Sequence, residues 1–124
     1  MRGKQIDVYK SSEDQEQQAV VEYCDLMGIP LVHIPNEGKR SAAYGSKMKR
    51  IGLRSGFPDL FVPIARGGYH GLMIEMKAEG GRATPDQKKW VVKLNAYGYR
   101  ATVCVGADAA INELNQYFYG RVRP

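Results

Sequence analysis

The stretch GFPDLFVPIARGGYHGLMIEMK, residues 56–77, decides how this chain is read. Asp59 to Ile64 is an apolar run opened by an acid, Gly71 to Lys77 is a second run, and Arg66-Gly67-Gly68 supplies turn residues between them. This pattern predicts a hairpin. Side chains alternate across a strand, so Leu72, Ile74 and Met76 share one face while Met73, Glu75 and Lys77 share the other. On an ordinary amphipathic strand an acid and a lysine placed this way are solvated surface charge. Asp59 changes the balance, because opening the partner strand directly after Gly56-Phe57-Pro58 can set its carboxylate beside Glu75.

Upstream, Ser11 and Ser12 offer helix N-caps, with Glu13, Asp14 and Glu16 in the first turn where the helix dipole favours carboxylates. Ala19, Val20, Tyr23, Cys24 and Met27 recur at helical spacing, and Gly28 with Pro30 ends the run. Leu31 to Ile34 reads as a short strand stopped by Pro35, and Ser41 to Leu53 could hold a short basic helix. Met1 to Lys10 has no clear period and reads as a loose arm. Downstream, Thr84-Pro85-Asp86-Gln87 is a capping box that opens a helix through Tyr97, ended by Gly98. Arg100 to Val105 reads as a buried strand, and Asp108 is expected to cap a final helix over about residues 108–119. The order predicts an α/β fold with a mixed central sheet flanked by helices.

A length of 124 residues fits one domain, able to bury a core without metal or disulfide staples. Cys24 and Cys104 form no C-x-x-C pair, which speaks against a zinc ribbon or a disulfide framework and for a reducing, cytoplasmic setting. No apolar run approaches the length of about 18–20 residues that a membrane span needs, and the first residues lack a signal-peptide core. No membrane partner is expected. Lys and Arg number 18 against 13 acids, a net charge of +5. Between Glu37 and Asp59 no acid occurs, while Lys39, Arg40, Lys47, Lys49, Arg50 and Arg54 form a local basic patch. Such a patch attracts phosphate backbones by counterion release, which points to DNA, although a solvated loop would carry the same lysines.

Two adjacent carboxylates repel unless a cation lies between them, and hard oxygen donors suit Mg2+ or Mn2+. Such an ion can polarise a phosphoryl oxygen and acidify water, and Lys77 could orient or deprotonate that water or neutralise the phosphate. Phosphodiester hydrolysis fits these roles.

Gly56-Phe57-Pro58-Asp59 followed by Glu75-Met76-Lys77 resembles the PD-(D/E)xK nuclease signature. With Glu13 and Gln17, the stretch Asn36-Glu37-Gly38-Lys39-Arg40, and Gln87, the pattern resembles more narrowly the VRR-NUC (virus-type replication-repair nuclease) family. The resemblance implies a restriction-endonuclease-like αβββαβ core over about residues 12–105 of a single domain spanning 1–124. Asp59, Glu75 and the Met76 backbone carbonyl would bind Mg2+ or Mn2+, with Lys77 as the catalytic lysine. Glu13 would bind the metal directly or through water, with Glu16 as the alternative. Gln87 matches the family's glutamine and can also serve the capping box. Stand-alone relatives of this size resemble virus-encoded enzymes of DNA replication and repair that cut branched DNA, including four-way junctions, as homodimers. A non-catalytic nucleic-acid-binding module of the same fold is the chief alternative, and an interaction or packaging protein is a third.

Other residues read more plainly. His33 is expected to pack or hydrogen-bond, His70 to lie on the surface, and Trp90 to belong to the core in preference to a base-stacking platform. Tyr117, Phe118 and Tyr119 are expected as core or as a dimer seam. The apolar side of Ser41 to Leu53 is the other candidate seam.

Overall fold

The computed structural model describes residues 11–35 and 41–120. The expected arm at Met1 to Lys10, and Lys39 and Arg40 within the stretch from Asn36, lie outside the described residues. Eight elements follow in order: α1 Glu13–Met27, β1 Val32–His33, α2 Ala42–Arg50, β2 Leu60–Val62, β3 Leu72–Lys77, α3 Pro85–Ala96, β4 Arg100–Val105 and α4 Ala107–Tyr119. They form an α/β fold around one four-stranded mixed sheet of order β1-β2-β3-β4.

The helices begin and end where their caps dictate. Ser12 Oγ accepts the Gln15 N–H and Gln15 Oε1 accepts the Ser12 N–H, a reciprocal capping box. Gly28 ends α1 in the left-handed conformation, at φ 72°. Ser41 caps α2 through the Tyr44 N–H, and Thr84 caps α3 through the Gln87 N–H. The last helix corrects an expectation, because Asp108 does not cap it. Gly106, at φ 87°, turns the chain straight out of β4 and occupies the cap position with no side-chain bond of its own, which leaves Asp108 inside the first turn. Glu16, on α1, accepts the Ala107 N–H at 2.7 Å and supplies the missing cap.

The hairpin forms as expected but with a shorter first strand, since β2 stops before Pro63, which has no N–H to extend the ladder. β2 and β3 pair antiparallel, with Leu60 opposite Ile74, Phe61 opposite Met73 and Val62 opposite Leu72. β1 pairs antiparallel with the other edge of β2, and its two residues fall short of the four expected. β4 pairs parallel to β3 over all six residues, from Leu72 opposite Arg100 to Lys77 opposite Val105. α3 is the crossover between them.

Two apolar clusters lie on the two sides of the sheet. Val20 and Cys24 of α1 and Ala110, Leu114 and Tyr117 of α4 pack on Leu60, Val62, Leu72, Ile74 and Met76. On the opposite face Leu94 of α3 packs with Met73 and Ala101, bordered by Phe57, Phe61 and Trp90. α2 buries none of its residues. Tyr117 is only 6% exposed and its hydroxyl donates to the Ile64 carbonyl, so within the aromatic trio it belongs to the core. Tyr119 is 58% exposed. The two cysteines are free and buried, and burial pushes their thiols up to about 11 for Cys24 and about 12 for Cys104, which makes both poor nucleophiles.

Candidate metal centre

Because β3 is flanked by β2 and β4 and covered on both faces, Leu72 to Met76 are all buried, Glu75 among them at 2% exposure. A carboxylate is placed there only if something compensates its lost hydration. Gln87 supplies part of this, its amide nitrogen donating to Glu75 Oε2 at 3.0 Å. Lys77 Nζ lies 3.6 Å from the same oxygen, one alternation along the face. Glu75 Oε1 is buried with no hydrogen-bond partner among the described residues. Burial, and then the nearby Asp59 carboxylate, push the Glu75 pKa from 4.5 up to about 8, against the pull of Lys77.

Asp59 reaches this point because it lies one residue before β2, directly beyond the Leu60–Ile74 pair. Its backbone carbonyl accepts the Ile34 N–H at 2.7 Å. Its Oδ2 accepts the Met76 N–H at 2.9 Å, so the buried carboxylate is clamped across the hairpin. His33, expected to hydrogen-bond, places Nδ1 3.1 Å from the Asp59 carbonyl oxygen and 3.1 Å from Gln17 Nε2. Glu13, the first residue of α1, completes the group. One oxygen from each of Glu13, Asp59 and Glu75 lies within 4.8 Å of the others. Hard cations hold oxygens at about 2.0–2.6 Å, so ligands to one ion lie up to about 4–5 Å apart. Three carboxylates at that spacing, one carrying an unpartnered buried oxygen, fit a divalent cation of the Mg2+ or Mn2+ type.

Glu13, the acid that the resemblance favours, and Glu16, its alternative, part company in space. Glu16 is engaged by the N-terminus of α4, whereas Glu13 joins the cluster. Gln87 carries both of its expected contacts at once: Oε1 accepts the Thr84 N–H at 2.8 Å while Nε2 serves Glu75. The turn before Asp59 explains how Gln87 comes so close. Gly56 has φ 88°, and a Cβ there would lie 2.6 Å from the Asp86 carbonyl carbon and 2.7 Å from the Gln87 nitrogen. Only glycine lets this turn press against the start of α3.

The basic patch is found on α2 and just after it. Lys47, Lys49 and Arg50 occupy the last turn, where the helix dipole favours cations, and Arg54 donates to the Lys49 carbonyl at 2.9 Å. All four are exposed. Lys89 and Lys93 of α3, outside the basic patch read from the sequence, line one depression together with Lys49 and Arg54. Their signal was faint: cations one turn apart flanking Trp90, about 35 residues from Arg54 in the chain. His70 is exposed, as expected. Trp90 is half-buried and packs edge to face on Phe57, as a core residue would.

A mixed sheet whose hairpin gathers an aspartate, a glutamate and a lysine, with a further acid from the first helix, is the arrangement that the resemblance to the PD-(D/E)xK class implies. The VRR-NUC domain profile matches residues 11–108, and the chain belongs to the VRR-NUC family. A solved structure described as a VRR_NUC domain protein is similar, with a TM-score of 0.77 and 36% identity, covering 90% of this chain and 92% of that one. No curated protein matches. The family's members are generally nucleases, which makes nucleic acid the substrate class. No helix of the described residues is long and apolar enough to cross a membrane.

Proposed function

We propose that the chain is a divalent-metal-dependent endodeoxyribonuclease that hydrolyses phosphodiester bonds in branched DNA, four-way junctions included. The observation that carries this reading is the buried Glu75 carboxylate, with one unpartnered oxygen, held among Asp59, Glu13 and Lys77. Asp59, Glu75, Glu13 and the Met76 backbone carbonyl would hold Mg2+ or Mn2+. When bound, such an ion stabilises charge on the phosphoryl oxygens and acidifies water. The chain's own residues do the rest. Lys77, its ammonium beside Glu75 Oε2, orients the attacking water and balances charge building on the scissile phosphate. Gln87 fixes the Glu75 carboxylate, and the Met76 N–H fixes that of Asp59. Lys47, Lys49, Arg50 and Arg54 hold the DNA backbone, joined by Lys39 and Arg40 on the strength of the sequence.

The chain acts as one domain, in the cytoplasm, or in the host cytoplasm for a virus-encoded enzyme. A junction offers two strands for symmetric incision, the described residues contain one acidic cluster, and two-fold dimers are the commonest closed assembly. A homodimer is therefore the working form. With Tyr117 inside the core, the seam would draw on Tyr119, 58% exposed, or on the Ser41 to Leu53 segment, where Tyr44 is 48% and Ile51 68% exposed.

The test is incubation of purified protein with branched and linear DNAs in Mg2+, Mn2+ or chelator. Cleavage of branched DNA only with the ions is expected. Cleavage in chelator, or none with either ion, overturns the reading. Light scattering with junction DNA tests assembly: a monomeric mass with single uncoupled nicks sinks paired incision and leaves the metal centre intact.

A further inference from the structure

The turn that delivers Asp59 also builds a second feature. Ile34, Gly52, Leu53, Arg54, Phe57 and Trp90 line a cavity of about 270 Å³. Its aromatic wall is fixed: the Phe57 and Trp90 rings meet edge to face at 5.0 Å, and the indole N–H donates to the Ser55 carbonyl at 3.1 Å. Trp90 and Arg54 also border the neighbouring depression, lined further by Lys49, Lys89 and Lys93 with Asp86. Lys93 Nζ stands 5.2 Å from the centre of the Trp90 ring. An apolar slot therefore adjoins a groove with four cations (Lys49, Arg54, Lys89, Lys93) and one acid.

An apolar side chain would suit the slot but carry no charge toward the groove, and a phosphate alone would suit the groove and leave the slot unfilled. A nucleotide matches both, since its base has a flat π-face and its phosphate an adjoining charge. In a duplex that face is covered by the neighbouring pairs, so the base must be unstacked. We infer that the slot between Phe57, Trp90 and Leu53 receives one unstacked nucleobase, with its phosphate in the groove of Lys49, Arg54, Lys89 and Lys93.

This inference rests on the reading of the chain as a DNA nuclease and narrows its substrate to branches with an unpaired nucleotide near the scissile bond. The slot is tied to the acids by a short path. Phe57 lies two residues before Asp59, and Gly56 presses on the start of α3, where Gln87 reaches Glu75.

Trp90 is the chain's only tryptophan, so its fluorescence reports the slot. In chelator, the wild-type protein is titrated with a duplex bearing one unpaired nucleotide, the same duplex with an abasic residue there, and a fully paired duplex. The unpaired base should quench Trp90 and bind about 5–150-fold more tightly than the abasic control, the range that base–aromatic stacking provides. Trp90→Leu should abolish that preference, so that base-bearing and abasic duplexes bind alike. Should that variant fail to fold, the abasic comparison on the wild-type protein decides alone. Equal affinity and equal quenching for base-bearing and abasic DNA overturn the slot, while Mg2+-dependent cleavage by the same preparation preserves the nuclease reading. Absence of any DNA binding overturns both. Emission that shifts with protein concentration alone puts a second copy in the slot and also overturns the inference.

Discussion

The two faces of β3 share one backbone and nearly equal burial, yet they are finished differently. Toward α1 and α4, Leu72, Ile74 and Met76 meet Val20, Cys24 and Leu114, and apolar groups meet only apolar groups. Toward α3 the face begins in the same way, with Met73 against Leu94 and Ala101. It then changes within two residues to Glu75, 2% exposed and facing Asp59, 6% exposed. The first face stabilises the fold outright. The second leaves a carboxylate whose ionisation the surroundings oppose, at a position compatible with a divalent cation.

Four experiments break or sharpen this contrast. The largest effect is expected for Lys77→Ala, which should slow cleavage by about 10²–10⁴-fold, as removal of a proton-handling or charge-balancing group does, with DNA affinity and thermal unfolding nearly unchanged. Wild-type turnover in single-turnover assays would remove Lys77 from the chemistry. On the closed face, Ile74→Ala should cost about 2–5 kcal/mol in urea unfolding and leave metal affinity intact in the folded fraction. A cost no greater than for an exposed site would mean that this face is not the main stabilising layer.

Third comes the open face itself. Glu75 binds its proton more tightly folded, at about 8, than at its ordinary 4.5. Its contribution to stability is therefore full below pH 4.5 and is lost as pH rises through about 8 in metal-free protein. Melting temperatures in chelator should fall across that window, Mg2+ should oppose the fall, and Glu75→Gln should flatten it. A wild-type profile without this fall would show that Glu75 ionises freely. The smallest effect belongs to Gln87→Ala, which removes half of a capping box and should cost about 0.3–1.5 kcal/mol, with weaker Mg2+ binding by calorimetry as its second signature. Stability lost with metal affinity intact would reduce Gln87 to a cap.

Local chemistry made most of this legible. The alternation of Leu72 to Lys77 and the glycine turn announce the hairpin, and the capping residues at Ser12 and Thr84 mark the starts of their helices. Tertiary choices were hidden. Glu13 and Glu16 sit in one helical turn, and the arrival of the α4 N-terminus separates them in space. That contact is also why Asp108 reads as a cap from sequence and is not one, for the cap comes from 91 residues away. Lys89 and Lys93 joined the basic surface only once α3 lay beside the chain around Arg54.

The packing of α1 on α4 bears on where the molecule can be cut. The family match ends at residue 108, just inside α4, yet Ala110, Leu114 and Tyr117 beyond that point belong to the main apolar cluster. A fragment trimmed to the matched boundary would keep the Ala107 N–H on Glu16 but uncover Val20 and Cys24 and remove Asn115, which accepts the Tyr23 hydroxyl, so the helix that carries Glu13 is held by residues near the other end of the chain. Among the described residues, the span that keeps both helices packed beside the acidic cluster runs from the cap at Ser12 through Tyr119.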